Sequence, residues 1–259
     1  MGDAHYFGRG VDQDYKEAAK WYRKAAEQGH PLAQNYLALM CYLGQGMEQN
    51  FQEAVKWLHL AAPQGDAQHQ HNLALSYDFG QGVPCDCQEA ARWYRLAGEQ
   101  GHSRAQNNLG FLYDIGQGVD QDYQEAAKWY RKAAEQGNSN AQNNLGILYC
   151  CGRGVGQDYE EAAKWYRKAA EQGHPRAQLQ LGRMYDDGLG ALQDYKEAAR
   201  WYHKAAEQGD PGAQYELGSL YEVGLGVSED AGQALQWYRR AAGQGYSKAR
   251  QAVEQLTGS

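Results

Sequence analysis

The chain contains no apolar run that approaches the roughly 20 residues a membrane-spanning helix needs, so no helical membrane insertion is expected of it. It has no excess of basic charge: 25 Lys and Arg stand against 32 Asp and Glu, a net charge of −7, with the two signs interspersed. That leaves no basic stripe for nucleic acid or an anionic membrane surface. The opening residues, Met1-Gly2-Asp3-Ala4-His5-Tyr6, have neither a basic n-region nor an apolar core, so no signal peptide is read there. A cytoplasmic chain is expected, or a periplasmic or secreted one if the N-terminus has been trimmed. Cysteine is scarce and irregular. Cys41, Cys85, Cys87, Cys150 and Cys151 are odd in number and follow no period, which argues for reduced thiols rather than a disulfide framework.

Catalytic constellations are also missing. No Ser/His/Asp set, phosphate loop or paired-carboxylate cleft stands out, and an enzyme is not expected. Cys85-Asp86-Cys87 and Cys150-Cys151 do not have a zinc spacing, and they lie about two repeats apart. His69 and His71 are two positions apart on a helix and face different ways. No metal and no cofactor is expected.

What is present is a repeat. Trp21, Trp57, Trp93, Trp129, Trp165, Trp201 and Trp237 are all the tryptophans in the chain, and each lies 36 residues from the next. A fixed period of roughly 20–50 residues marks a stacked array in which each unit touches mainly its neighbours. The frame predicts one array: a partial first repeat over 1–29, repeats over 30–65, 66–101, 102–137, 138–173, 174–209 and 210–245, and a C-terminal capping helix over 246–259.

Each repeat reads as two helices. The second starts at Asp14, Asn50, Asp86, Asp122, Asp158, Asp194 or Asp230, all good N-cap residues, with Glu or Gln three positions on. That spacing predicts a reciprocal capping box. Gly29, Gly65, Gly101, Gly137, Gly173, Gly209 and Gly245 end these helices as left-handed C′ residues should. The first helix opens at Pro31, Pro175 or Pro211, where a missing N–H costs nothing, or behind His30, His102 and His174 as caps. Ala105, Leu109, Leu112 and Tyr113 recur on its packing side at helical spacing. Gly110, Gly146, Gly182 and Gly218 sit in mid-helix, at a cost of up to about 1 kcal/mol against alanine, which implies close contact there. A Gly-x-Gly turn joins the two helices. No strand precedes it, so it reads as architecture rather than a nucleotide site.

The pattern carried by Ala141, Leu145, Gly146, Tyr149, Gly152, Gly154, Val155, Asp158, Ala162, Trp165, Tyr166, Lys168, Ala169, Ala170, Glu171, Gln172 and Gly173 resembles the Sel1-like repeat, a relative of the tetratricopeptide repeat. It covers essentially the whole chain. The resemblance implies an all-α, right-handed α-solenoid of 36-residue helix-turn-helix repeats that serves as an adaptor or scaffold. In some bacterial relatives each repeat carries a disulfide. The matching positions here look like Ala134 and Ala141, so that oxidised character is not carried over.

In such an array the repeating residues build the stack and the varying ones are free to bind. The arc of the first helix away from its packing side is centred on Leu39, Leu75, Phe111, Ile147, Arg183 and Ser219. Beside it run Asn35, His71, Asn107 and Asn143, then Tyr36, Asn72, Asn108 and Asn144, with Asp78, Asp114, Asp186 and Glu222 toward the helix ends. The expected partner-binding set is Leu39, His71, Asn72, Leu75, Asn107, Asn108, Phe111, Asp114, Asn143, Asn144, Ile147 and Arg183. It reads as an apolar floor, an amide row suited to a peptide backbone and an acidic edge suited to a basic protein or peptide. The alternative is that the apolar residues seal adjacent first helices and the amides are merely solvated.

The chain begins in mid-repeat at Tyr6-Phe7-Gly8-Arg9-Gly10-Val11. That is expected of a ragged natural start or of a module from a larger adaptor, and dimerisation through this uncapped end is a further expectation. The functional reading is a non-catalytic scaffold that binds a protein or peptide along its first-helix face. The alternatives are a secreted or periplasmic binder of the effector or immunity type, or a module of a larger adaptor. A consensus design also fits the likeness among repeats, but the scattered cysteines and Pro63 argue against it.

Overall fold

The computed structural model describes residues 1–258. Those residues form fifteen α-helices and no strand: α1 (Gly2–Phe7), α2 (Tyr15–Glu27), α3 (Pro31–Leu43), α4 (Phe51–Ala61), α5 (Ala67–Phe79), α6 (Cys87–Glu99), α7 (Ser103–Ile115), α8 (Tyr123–Glu135), α9 (Ser139–Cys151), α10 (Tyr159–Glu171), α11 (Pro175–Asp187), α12 (Tyr195–Glu207), α13 (Pro211–Val223), α14 (Ala231–Gly243) and α15 (Ser247–Thr257). The chain divides into two compact units, Met1–Ala133 and Ala134–Ser259. Within each unit, first and second helices alternate and pack as antiparallel neighbours.

The helix limits follow from local chemistry. Asp14, Asn50, Asp86, Asp158, Asp194 and Asp230 each cap a second helix by accepting from a backbone N–H of its first turn. Asp122 does the same for Gln124 and Glu125. The reciprocal half of the expected capping box is not used. The cap N–H instead donates to the first helix of the same repeat, as in Asp86 N–H to the Tyr77 carbonyl (3.0 Å) and Asp122 N–H to the Tyr113 carbonyl (3.0 Å). The glutamates are thereby released to pair one turn on, as Glu125 does with Lys128 and Glu161 with Lys164. His30, His102 and His174 cap first helices by accepting through Nδ1, and Pro31, Pro175 and Pro211 open theirs. Pro63 has the one visible local cost: α4 ends at Ala61, and a short 3-10 turn, Ala62–Gln64, replaces its last turn.

In five of the Gly-x-Gly turns the second glycine is fixed by a neighbour. Gly118 has φ +72°, and a Cβ there would lie 2.2 Å from the carbonyl oxygen of Cys87, at the start of the previous second helix. Gly46 meets Tyr15, Gly82 meets Phe51, Gly190 meets Tyr159 and Gly226 meets Tyr195 in the same way. The turn is therefore the seat where one repeat rests on the one before it.

The core is built from small residues under large rings. A Cβ on Gly110 would lie 2.8 Å from the Tyr130 ring, and one on Gly182 would lie 2.6 Å from the Tyr202 ring. The mid-helix glycines thus seat a tyrosine ring rather than a bare helix backbone. Tyr94, Tyr130 and Tyr202 are fully buried, and their hydroxyls donate to Asp78, Asp114 and Asp186 of the partner first helix. Tyr238 donates likewise to Glu222.

A second device is a ladder of buried glutamines. Gln34, Gln70, Gln106, Gln142, Gln178 and Gln214 are all buried. Each donates to a carbonyl at the end of the preceding second helix, for example Gln178 to Ala170 (3.1 Å) and Gln214 to Ala206 (3.1 Å). Gln178 also accepts from Gln208 (2.7 Å) and Gln70 from Gln100 (2.8 Å). The last helix buries Ala249 and Ala252 and packs Val253 and Leu256 beside them.

Candidate functional site

Within Met1–Ala133 the first helices α3, α5 and α7 carry the expected floor. Leu39 and Leu75 are half-buried, while Phe111 is 48% exposed. They are not sealed between helices. Leu39, Asn72 and Leu75 converge on one cavity of ≈ 240 Å³, completed by Ala38, Tyr42, Leu43, Ala54, Leu58, Ser76 and Gln81. Its lining is mostly apolar, and Leu43, 51% exposed, stands at its rim. A second apolar row was not singled out from sequence. Phe7, Leu43, Phe79 and Ile115 end successive first helices at the same repeat position, and all are exposed, Phe79 by 66%.

The amide row is knitted to itself. Asn72 Nδ2 donates to Asn35 Oδ1 at 3.2 Å, and Asn72 Oδ1 accepts from Gln68 at 2.8 Å. Asn107 donates to Asn108 at 3.3 Å. His71 is not presented to solvent: it is buried against His102, with ring centroids 4.4 Å apart, and near Tyr94. Burial pushes its pKa down to about 4, with His102 and Arg104 acting the same way. The acidic edge is partly structural too. Asp114 is half-buried and accepts from the Tyr130 hydroxyl, and burial raises the pKa of its equivalent Asp78.

Within Ala134–Ser259, Ile147 and Asn144 are half-buried, and Asn143 is buried rather than displayed, donating to Asn144 at 3.3 Å. Arg183 is held by Glu216. Of the twelve expected residues, then, Phe111 is exposed, His71 and Asn143 are buried, and the other nine are half-buried, Leu39, Asn72 and Leu75 among them around the cavity. His71 is drawn inward against Tyr94 of its own repeat and His102 at the start of the next, and Asn143 is buried at the same repeat position.

A family model for the Sel1 repeat matches residues 1–30, 31–66, 69–102, 103–138, 139–174, 175–210 and 211–246. The chain belongs to the Sel1 repeat family. A crystal structure of c5321, described as a protective antigen of uropathogenic Escherichia coli strains displaying an SLR fold, is 40% identical with a TM-score of 0.93. That similarity covers 98% of this chain and 55% of the E. coli chain, so this chain spans about half the length of that relative. A Sel1 repeat protein from Oxalobacter formigenes is 36% identical with a TM-score of 0.83, covering 98% of this chain and 74% of its own. Pseudomonas aeruginosa pilF, at 19% identity and a TM-score of 0.63 over 88% of this chain and 99% of its own, shares the fold alone. No curated protein matched the chain in sequence. Sel1 repeat proteins are generally protein-interaction scaffolds, typically without catalysis.

The Sel1 frame also shows where the residue-type reading fell short. Tyr42, Leu58 and Gln81 line the cavity, and all three were visible as positions to compare between repeats. Leu58 interrupts the Trp-Tyr dipeptide of the other six second helices. The thiols form no centre. Among the described residues no group of three His, Cys, Asp or Glu side chains is placed to hold a metal. Cys85 and Cys87 approach to 3.8 Å between sulfurs, Cys41 is buried beside Met47, and burial raises the pKa of Cys87 and Cys150.

Proposed function

We propose that this Sel1 repeat chain is a non-catalytic adaptor that captures a protein or peptide on the first-helix face of Met1–Ala133. The observation that carries this reading is the exposed apolar surface along the first helices of this unit. Phe111 on the floor and Leu43, Phe79 and Ile115 at the helix ends stay exposed, although nothing in the stacking of repeats requires an apolar side chain there. Exposed apolar clusters on a folded surface mark interaction sites. The net charge of −7 favours a basic partner. Five cysteines, odd in number and off the repeat period, favour a reducing, cytoplasmic-type compartment.

The test is affinity capture from the native host with wild type and with a Phe79→Glu, Phe111→Glu double variant. Both side chains are exposed, so the variant keeps its helicity and loses its specific captures. An identical set of captured proteins from the two would refute the proposed face.

A second reading, an exported binder, is favoured by the likeness to the E. coli protein described as a protective antigen. Thiol labelling of the protein taken from its host separates the two. Free Cys85 and Cys87 support the first, and an oxidised pair supports the second.

A further inference from the structure

The apolar cavity of ≈ 240 Å³ sits where the array departs from its own rule. In the other repeats a tyrosine of the second helix fills the space against the paired first helix. Tyr130 lies over Gly110 and donates to Asp114, and Tyr202 lies over Gly182 and donates to Asp186. The equivalent positions in the repeat of α3 and α4 are Leu58 for the tyrosine, Ala38 for the glycine and Tyr42 for the acid. All three line the cavity. The ring and its carboxylate partner are thus lost together, and the space the ring would occupy is open. The methyl group of Ala38 does not account for it. Ala74 holds the same position opposite Tyr94, and Tyr94 is still fully buried.

The polar end of the vacancy is rebuilt rather than left charged. The Tyr42 hydroxyl donates to Gln81 Oε1, and Ser76 Oγ donates to the Asn72 carbonyl at 3.2 Å. Asn72 and Gln81 therefore bring neutral amide groups to a cavity whose walls are Leu39, Leu58 and Leu75. An apolar cavity large enough for a ring, closed at one end by neutral amides, suits an uncharged aromatic group and disfavours an ionic one. It adjoins Leu43, which belongs to the exposed row of helix ends.

We propose that this cavity receives an aromatic side chain, Phe or Tyr, of the bound partner, which supplies from outside the ring that this repeat lacks. The inference rests on the adaptor reading above and names the anchor it would use.

The first experiment needs no partner. p-Cresol, the tyrosine side chain as a free molecule, is titrated into wild-type protein with ¹³C-labelled leucine methyls. Saturable shifts confined to Leu39, Leu43, Leu58 and Leu75 are expected. Leu58→Tyr, which restores the ring of the other repeats, and Leu58→Phe are each expected to weaken p-cresol binding at least tenfold while keeping wild-type helicity. Absence of saturable shifts in the wild type, or equal binding by a folded filled variant, overturns the site. The second experiment repeats the host capture with Leu58→Tyr. A tenfold loss of the proteins captured by wild type is expected. Undiminished capture overturns the anchoring role but leaves the adaptor reading standing, because that reading falls only if Phe79→Glu with Phe111→Glu is without effect.

Discussion

Arg183 and Glu216 join α11 to α13 across the first-helix face. Arg183 Nη2 and Nε both donate to Glu216 Oε1, at 2.8 and 3.2 Å. Glu216 holds the repeat position of Asn108 and Asn144. Glu216 thus pairs with Arg183 at a position that is an amide in four of the other repeats, and Asn72, one of those amides, donates instead to Asn35 in Met1–Ala133. The side chains expected to greet a partner spend part of their bonding on their own neighbours.

Because the pair is partly exposed, 38% and 23% by side chain, its contribution is screened. Arg183→Ala is expected to cost no more than about 1 kcal/mol, and less in about 0.5 M NaCl. Urea unfolding at the two salt concentrations checks this. A loss several times larger, insensitive to salt, would make the pair a strut of the stack.

The glutamine ladder is expected to matter more. Gln178→Leu keeps the volume but takes from the buried Ala170 carbonyl one of its two donors, leaving the Gly173 N–H at 3.0 Å, and takes from the Gln208 amide its acceptor at that site. Each of the two lost hydrogen bonds is worth about 0.5–1.5 kcal/mol. Thermal unfolding of Gln178→Leu beside a half-buried control on the same helix, Gln180→Leu, measures the difference.

The two glycines of one turn should behave unequally. Both have positive φ, but a Cβ on Gly118 would strike the Cys87 carbonyl at 2.2 Å, while one on Gly116 meets the Gln121 Cβ at 3.0 Å. Gly116→Ala is expected to cost about 1 kcal/mol from backbone strain. Gly118→Ala must also push two repeats apart, and is expected to cost more than about 3 kcal/mol. Paired urea titrations decide the order.

His71 gives a dependence on pH. Its pKa is about 4 in the fold against 6.5 unperturbed, chiefly from burial, then from His102. The unfolded chain therefore takes up a proton between pH 6.5 and 4 that the folded chain refuses, and stability falls as pH drops through that window. His69 and His102, also lowered by burial, act in the same direction. Asp78, whose pKa is raised, acts in the opposite one. His71→Asn installs the residue found at Asn107 and Asn143. Relative to this variant, the wild type is expected to lose on the order of 1 kcal/mol between pH 6.5 and 5. Identical pH profiles would show that His71 is protonated in place at little cost.

How much of this was legible in the sequence depended on whether a residue answers to its own helix or to a neighbour. Asp122, His102 and Pro175 act within one turn of chain, so residue type and spacing sufficed to place them. Gly110 was legible as a close contact but not as the seat of Tyr130, because that pairing depends on how two helices meet. The helix wheel put His71 and Asn143 on the open arc. It places residues around one axis and takes no account of the other helices, such as those that bring Tyr94 and His102 against His71. The cavity was missed for a different reason. It is defined by what Leu58 fails to fill, and only comparison of second helices with one another, Trp57-Leu58 against Trp93-Tyr94, brings it out.

The measurement that bears most directly on the adaptor reading is hydroxyl-radical footprinting of the chain with and without a protein it captures. Leu43, Phe79 and Phe111 are expected to be protected from oxidation by the bound partner, while Leu192, 92% exposed in the turn between α11 and α12, stays equally reactive in both. Protection of Leu192 with Leu43, Phe79 and Phe111 unchanged would contradict it.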